Sequence, residues 1–106
     1  MDAPRWTVDD VRITFRQCQR LFHALGDGAR QDIILLLSEN ERLNVSQVTE
    51  LMHLSRPAIS HHLKVLKEAG LVELQRESRE NYYRLLWDEP VAKLKLLIEQ
   101  AEIACG

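Results

Sequence analysis

Residues 43–70, Leu-Asn-Val-Ser-Gln-Val-Thr-Glu-Leu-Met-His-Leu-Ser-Arg-Pro-Ala-Ile-Ser-His-His-Leu-Lys-Val-Leu-Lys-Glu-Ala-Gly, decide how the chain is read. They form two apolar-periodic segments, each opened by a serine, with a turn at Leu54 and Ser55 and a glycine stop at Gly70. Ser46 is expected to cap a helix over about 47–53, with Val48, Leu51 and Met52 inward. Ser55 is expected to cap a second helix over about 56–69. Pro57 falls in its first turn, where backbone N–H groups lack an intrahelical acceptor and proline is tolerated. Ile59, Leu63 and Leu66 recur at the spacing of one helix face, and that phase turns Arg56, Ser60, His61, Lys64 and Lys67 outward. The pattern, 46–69, is a helix-turn-helix. In such a unit the second helix lies in the major groove of DNA, and its first turns reach base edges.

Downstream, Leu71 to Arg76 and Tyr82 to Trp87 have strand character, joined by a polar turn over 77–81. A hairpin placed directly after a groove-reading helix is a wing, spanning 71–87, with Arg76 and Arg79 near its tip for phosphate or minor-groove contact. Upstream, Val8, Val11, Phe15, Cys18, Leu21, Phe22 and Leu25 predict one continuous helix over 8–25, with Arg12, Arg16 and Arg20 as a solvated stripe opposite. Gly26 is expected to end it, and Asp27 to cap a helix over about 28–38 carrying the apolar run Ile33 to Leu37. A short strand is expected at Leu43 to Val45. Asp88 is expected to cap a last helix over 89–104 with a broad apolar face from Val91, Leu94, Leu97, Ile98, Ala101 and Ile103.

A chain of 106 residues with 45% hydrophobic content fits one domain, 1–106, with a modest core. The helices at 8–25 and 89–104 carry more apolar surface than such a domain readily covers, so a dimer through them is expected. No apolar run approaches the roughly 18 residues of a membrane span, and Met1 to Arg5 lack a signal peptide's apolar segment, which predicts a cytoplasmic protein. The net charge of −2 is unhelpful for binding a polyanion. Its distribution matters more: residues 54–84 hold Arg56, Lys64, Lys67, Arg76, Arg79 and Arg84 against only Glu68, Glu73, Glu77 and Glu80, while both flanks are net negative.

Three stretches resemble the ArsR/SmtB family of bacterial winged-helix repressors: Leu21 to Asp27, Ser55 to Val72 and Tyr82 to Leu85. The resemblance covers nearly the whole chain. It implies a mainly α fold with a small β-hairpin, in the order of four helices, two strands and a fifth helix. It also implies a homodimer through the first and last helices, and an inverted-repeat operator in double-stranded DNA whose binding blocks transcription. At the matched positions Ser55, Ser60 and His61 suit hydrogen bonds to base edges or phosphates. Arg56 suits a bidentate bond to guanine and Lys64 a phosphate. His62, phased with Ile59 and Leu66, is expected to pack against the protein instead.

The family pattern is broken at its sensors. Many members are expected to carry a Cys-Val-Cys box where this chain has Asn44-Val45-Ser46, and Asn and Ser oxygens are poor ligands for thiophilic metals. Others use Asp and His on the last helix, which here has no histidine, and His23, His53, His61 and His62 match no ligand spacing. No metal site and no cofactor are therefore expected, and the sequence leaves the inducer unidentified. Two alternatives remain. Cys18 and Cys105, on helices that meet in the expected dimer, form a possible thiol or metalloid switch, against which stand a buried apolar Cys18 and a terminal Cys105. The other is a protein-interaction module without DNA binding. An enzyme has no support, since no phosphate loop, nucleophile and base pair, or metal centre is recognisable.

Overall fold

The computed structural model describes residues 5–106. In it the chain forms α1 (Val8–Gln17), α2 (Gln19–Leu25), α3 (Gly28–Glu39), β1 (Leu43–Asn44), α4 (Val45–Leu51), α5 (Arg56–Glu68), β2 (Val72–Glu77), β3 (Glu80–Leu85) and α6 (Asp88–Ala104). Met1 to Pro4, part of the segment read above for a signal peptide, lie outside the described residues. The three strands pair antiparallel in the order β1-β3-β2, with Leu43 opposite Tyr83 and Val72 opposite Leu85. The architecture is a winged helix-turn-helix, as expected.

The core is built where the apolar periodicities converge. Ile33 from α3, Val48 from α4, Ile59, Leu63 and Leu66 from α5, and Leu71 are all fully buried and belong to one cluster. The seam assigned to α5 from sequence spacing is therefore the seam that packs. Gly70 ends α5 with φ +76, a left-handed conformation that favours glycine. Its N–H bonds the carbonyl of Lys67 and the next N–H, of Leu71, bonds that of Leu66, each at 3.0 Å. This Schellman closure turns the chain directly into β2.

Several local expectations are corrected. The first helix is not continuous: Cys18 (φ −92°, ψ 1°) breaks it into α1 and α2. Thr14, buried, turns its hydroxyl back to the Asp10 carbonyl at 3.2 Å, a bond that favours bending. The break splits the predicted face, burying Val11, Cys18 and Leu21 but leaving Val8, Phe15 and Phe22 exposed. Ser46 does not cap α4. Asn44 does, in a reciprocal box in which its side chain accepts from the Gln47 N–H and the Gln47 side chain accepts from the Asn44 N–H, each at 2.8 Å. The helix begins earlier as a result, and Leu51 at its end faces outward. At α6 the N-cap position is Trp87, with no side-chain cap, and Asp88 is the first helical residue, favoured there by the helix dipole.

The wing is tighter than expected. Instead of a five-residue turn, the strands run to Glu77 and from Glu80, joined by Ser78 and Arg79 alone. Both have positive φ, 49° and 71°, the signature of a type I′ hairpin turn made here without glycine. α6 then returns to pack along α1. The principal extents are 56 × 23 × 20 Å and the radius of gyration is 16.7 Å, against about 13 Å for a compact chain of this length.

Candidate nucleic-acid interface

α5 positions the candidate residues by its two faces. With Ile59, Leu63 and Leu66 fixed in the core, Arg56, Ser60, His61, Lys64 and Lys67 are all exposed. Ser55 caps the helix by accepting from the Ala58 N–H at 3.3 Å, which leaves its hydroxyl proton free to donate outward. Arg56 is held in place, donating from Nη1 to the Ser46 Oγ at 2.7 Å. A guanidinium fixed by one donor keeps its other N–H groups for an incoming acceptor, with less conformational entropy to lose on binding.

Arg79 projects from the tip of the hairpin. Arg76, on β2, approaches Asn81 across the strands at 3.5 Å. Neither makes an ion pair among the described residues, nor do Arg56, Lys64 and Lys67. Arg84, counted with them from the sequence, does: Glu73 holds its guanidinium at 2.8 and 2.9 Å, so it contributes little free charge. The structure thus sets Ser55, Arg56, Ser60, His61 and Lys64 on one exposed helix, and Arg76 and Arg79 on the wing that follows it.

Two arginines that hold this surface together were not legible as functional. Arg42 braces the wing: it pairs with Glu77 at 2.6 Å and lies over the Tyr82 ring at 4.1 Å, and the bond to Glu77 raises its pKa. Arg30 is buried behind α5 and reaches His62. His62 is accordingly packed, as its phase predicted, and burial first, then the neighbouring charges of Arg30 and His61, lower its pKa against an opposing pull from Asp27. Asp27 caps α3 through the Arg30 N–H, and that bond lowers its own pKa. Partnerships across such sequence separations leave no local signature; Asp27 as a cap was the only legible part.

The chemistry at Asn44-Val45-Ser46 does not suit a thiophilic metal. The Asn44 oxygen caps α4 and the Ser46 oxygen accepts from Arg56. Among the described residues no group of three or more His, Cys, Asp or Glu side chains is arranged to hold a metal ion. Both cysteines are free thiols, Cys18 fully buried and Cys105 exposed at the end of α6.

An exposed helix face of hydroxyl, imidazole and cationic groups, followed by a basic hairpin and carried on a buried helical core, defines a winged helix-turn-helix of the DNA-binding class. Comparison with known proteins takes the assignment further. Residues 27–73 match the family model described as bacterial regulatory protein, arsR family. An uncharacterized HTH-type transcriptional regulator of Methanocaldococcus jannaschii is 34% identical over 85 residues, covering 80% of this chain and 96% of the relative. The HTH-type transcriptional repressor SmtB of Mycobacterium tuberculosis is 42% identical over 84 residues, 79% of this chain and 62% of the relative. Among solved structures, an ArsR-like transcriptional regulator from Rhodococcus sp. RHA1 superimposes with a TM-score of 0.76 at 30% identity, covering 84% of this chain and 81% of that one. The chain belongs to the arsR family, and is a DNA-binding transcriptional regulator rather than an enzyme.

Proposed function

We propose that the protein is a homodimeric repressor that binds an inverted-repeat operator through α5 and the wing, within one winged helix-turn-helix domain in the cytoplasm. The observation that carries the reading is the exposed face of α5, where Ser55, Arg56, Ser60, His61 and Lys64 stand clear of the core beside the basic wing. The membership of a repressor such as SmtB among its relatives supports the direction of control. No helix among the described residues is long and apolar enough to cross a membrane.

The dimer is supported by incompleteness. Val8, Ile13, Phe15 and Phe22 on the first two helices and Ile98 and Ile103 on α6 are exposed, and the elongated shape leaves the α1–α6 layer outside the main core. A second copy covering this layer relates two α5 helices by a dyad, which sets them in successive major grooves about 34–36 Å apart. A helix-end thiolate metal switch is not part of the proposal, because Asn44 and Ser46 already have structural partners. Cys18, with none of its surface accessible, is poorly placed to act with Cys105 as a thiol sensor.

The test is an operator selected from random DNA, followed by affinity measurements at physiological salt. Arg56→Ala and Lys64→Ala are each expected to weaken binding by about 1–3 kcal/mol without unfolding the protein, and affinity is expected to fall steeply with salt. Unchanged affinity in both variants would sink the assignment of α5. Salt-independent binding would favour the alternative for which the net charge of −2 speaks, a protein-interaction module.

A further inference from the structure

Arg30, in the first turn of α3, is 6% exposed and is the only charged residue so deeply buried among the described residues. A buried guanidinium is tolerated only when its donors are satisfied. Here Nε donates to the Ala24 carbonyl and Nη2 to the His23 carbonyl, each at 3.0 Å. Both carbonyls belong to the last turn of α2, where the only other backbone bond to either is a long one, 3.4 Å from the Gly26 N–H to the His23 carbonyl. Nη1 lies 3.1 Å from His62 Nδ1 on α5, and 4.0 Å from a carboxylate oxygen of Asp27. One side chain therefore joins the end of α2, the start of α3 and the middle of α5.

The chemistry of the pair fixes the state of the histidine. A guanidinium has no acceptor and keeps its proton throughout the accessible pH range, so Nδ1 of His62 must accept. His62 is then neutral, with its proton on Nε2. A doubly protonated ring would turn an N–H toward an N–H, with two positive charges at hydrogen-bond distance.

We propose that Arg30 is a positioning residue for DNA binding, holding α5 in its groove-reading orientation through neutral His62, and that protonation of His62 releases this lock. The proposal rests on the reading of α5 as the helix that contacts DNA. The groups facing the ring are Arg30 from α3, Asp27 from the cap of α3 and His61 from α5 itself, whose ring centroid is 5.8 Å away. Burial, Arg30 and His61 oppose the proton and Asp27 favours it, with a net lowering from 6.5. The DNA-bound form needs His62 neutral, whereas the free protein is able to take up the proton as α5 loosens. Affinity must then fall as the pH drops below the ordinary histidine range.

A bare pH profile sums every ionisable group on the DNA-facing surface and so does not isolate one ring. The informative quantity is the ratio of wild-type affinity to that of His62→Asn. An asparagine oxygen takes the place of Nδ1 as an acceptor for Arg30 but does not titrate. Between about pH 7.5 and about pH 5.5 the wild type should lose roughly three- to tenfold in affinity relative to His62→Asn. Arg30→Lys, which keeps the charge but not the forked donors, should bind more weakly across the range. A ratio that stays constant with pH overturns the lock while leaving the assignment of α5 intact. Absence of DNA binding by the wild type at every pH overturns that assignment, and the lock with it. A second measurement needs no variant: nitrogen NMR of the wild-type ring should show the Nε2–H tautomer and a pKa below the ordinary value. A proton on Nδ1 in the folded protein at neutral pH overturns the proposal even if His62→Asn fails to fold.

Discussion

α5 and the α1–α6 layer are both amphipathic, yet they resolve their apolar faces in opposite ways. The seam of α5, Ile59, Leu63 and Leu66, is buried completely within one chain, and what remains outward is mainly polar, with Arg56, Lys64 and Lys67 against the single acid Glu68. The α1–α6 layer buries Val11 and Leu97 but leaves Phe15, Ile98 and Ile103 in the open. One helix is finished by its own fold and presents a surface chemically suited to a polyanion. The other layer is unfinished and presents a surface suited to another apolar surface. In the proposed dimer these are the two halves of one task, since the second surface sets the spacing at which the first is displayed.

The comparison is broken most severely at α5. Leu63→Ala should cost about 2–5 kcal/mol of folding stability, because it removes a fully buried side chain from the centre of the core. Chemical denaturation measures this directly. A loss below about 1 kcal/mol would mean that the seam tolerates repacking and that α5 is less firmly anchored than its burial implies. The same kind of change on the other layer should behave differently. Ile98→Glu, at a residue 58% exposed, should leave the fold of the isolated chain intact. It should nonetheless weaken dimerisation by about 3 kcal/mol, roughly a hundredfold, since it places an unpaired carboxylate in the interface. Sedimentation measures the association. An unchanged dimer would move the interface off this layer.

The contrast also explains what was legible in the sequence. α5 could be read almost residue by residue, because a buried seam, a serine cap, an early proline and a glycine stop all encode the same helix locally. Its DNA-facing candidates followed as the complement of the seam. On the α1–α6 layer the apolar pattern predicted a face but not which of its residues pack within the chain, because that depends on the bend at Cys18 and on a partner surface. Asn44 took the cap from Ser46 because Gln47 completes its box, a competition between two good cap residues that propensity alone does not decide. The contributions of Arg30 and Arg42 were invisible for a different reason: Arg42 acts through Glu77 and Tyr82, and Arg30 reaches α5 through His62, all more than thirty positions away.

Acid should discriminate between the two regions more gently. A group whose folded pKa lies below its unfolded value leaves the unfolded chain with more bound protons as the pH falls, so stability declines with acidification. His62, lowered from 6.5, should begin to destabilise the fold just below that pH, and Asp27, lowered from 3.8, should add a second decline at stronger acidity. Both groups belong to the α3–α5 side of the molecule. Thermal melts of the wild type and of His62→Asn should therefore converge near neutrality and separate below about pH 6.5. Parallel curves throughout would mean that His62 titrates alike in the folded and unfolded states.

The smallest expected effect sharpens the comparison at the wing, where display and stability conflict. Ser78 and Arg79 both adopt left-handed backbone conformations, which cost a non-glycine residue about 1–2 kcal/mol each in the steric limit and less in an exposed turn. Ser78→Gly should therefore stabilise the protein by about 0.5–1 kcal/mol with DNA affinity unchanged. Arg79→Gly should stabilise it by a similar amount while removing a cation from the hairpin tip, lowering DNA affinity and shallowing its salt dependence by about one ion. The arginine would then be a residue kept in an unfavourable backbone conformation for the charge it presents. Equal behaviour of the two variants toward DNA would instead reduce Arg79 to an ordinary turn residue and confine the DNA surface to α5.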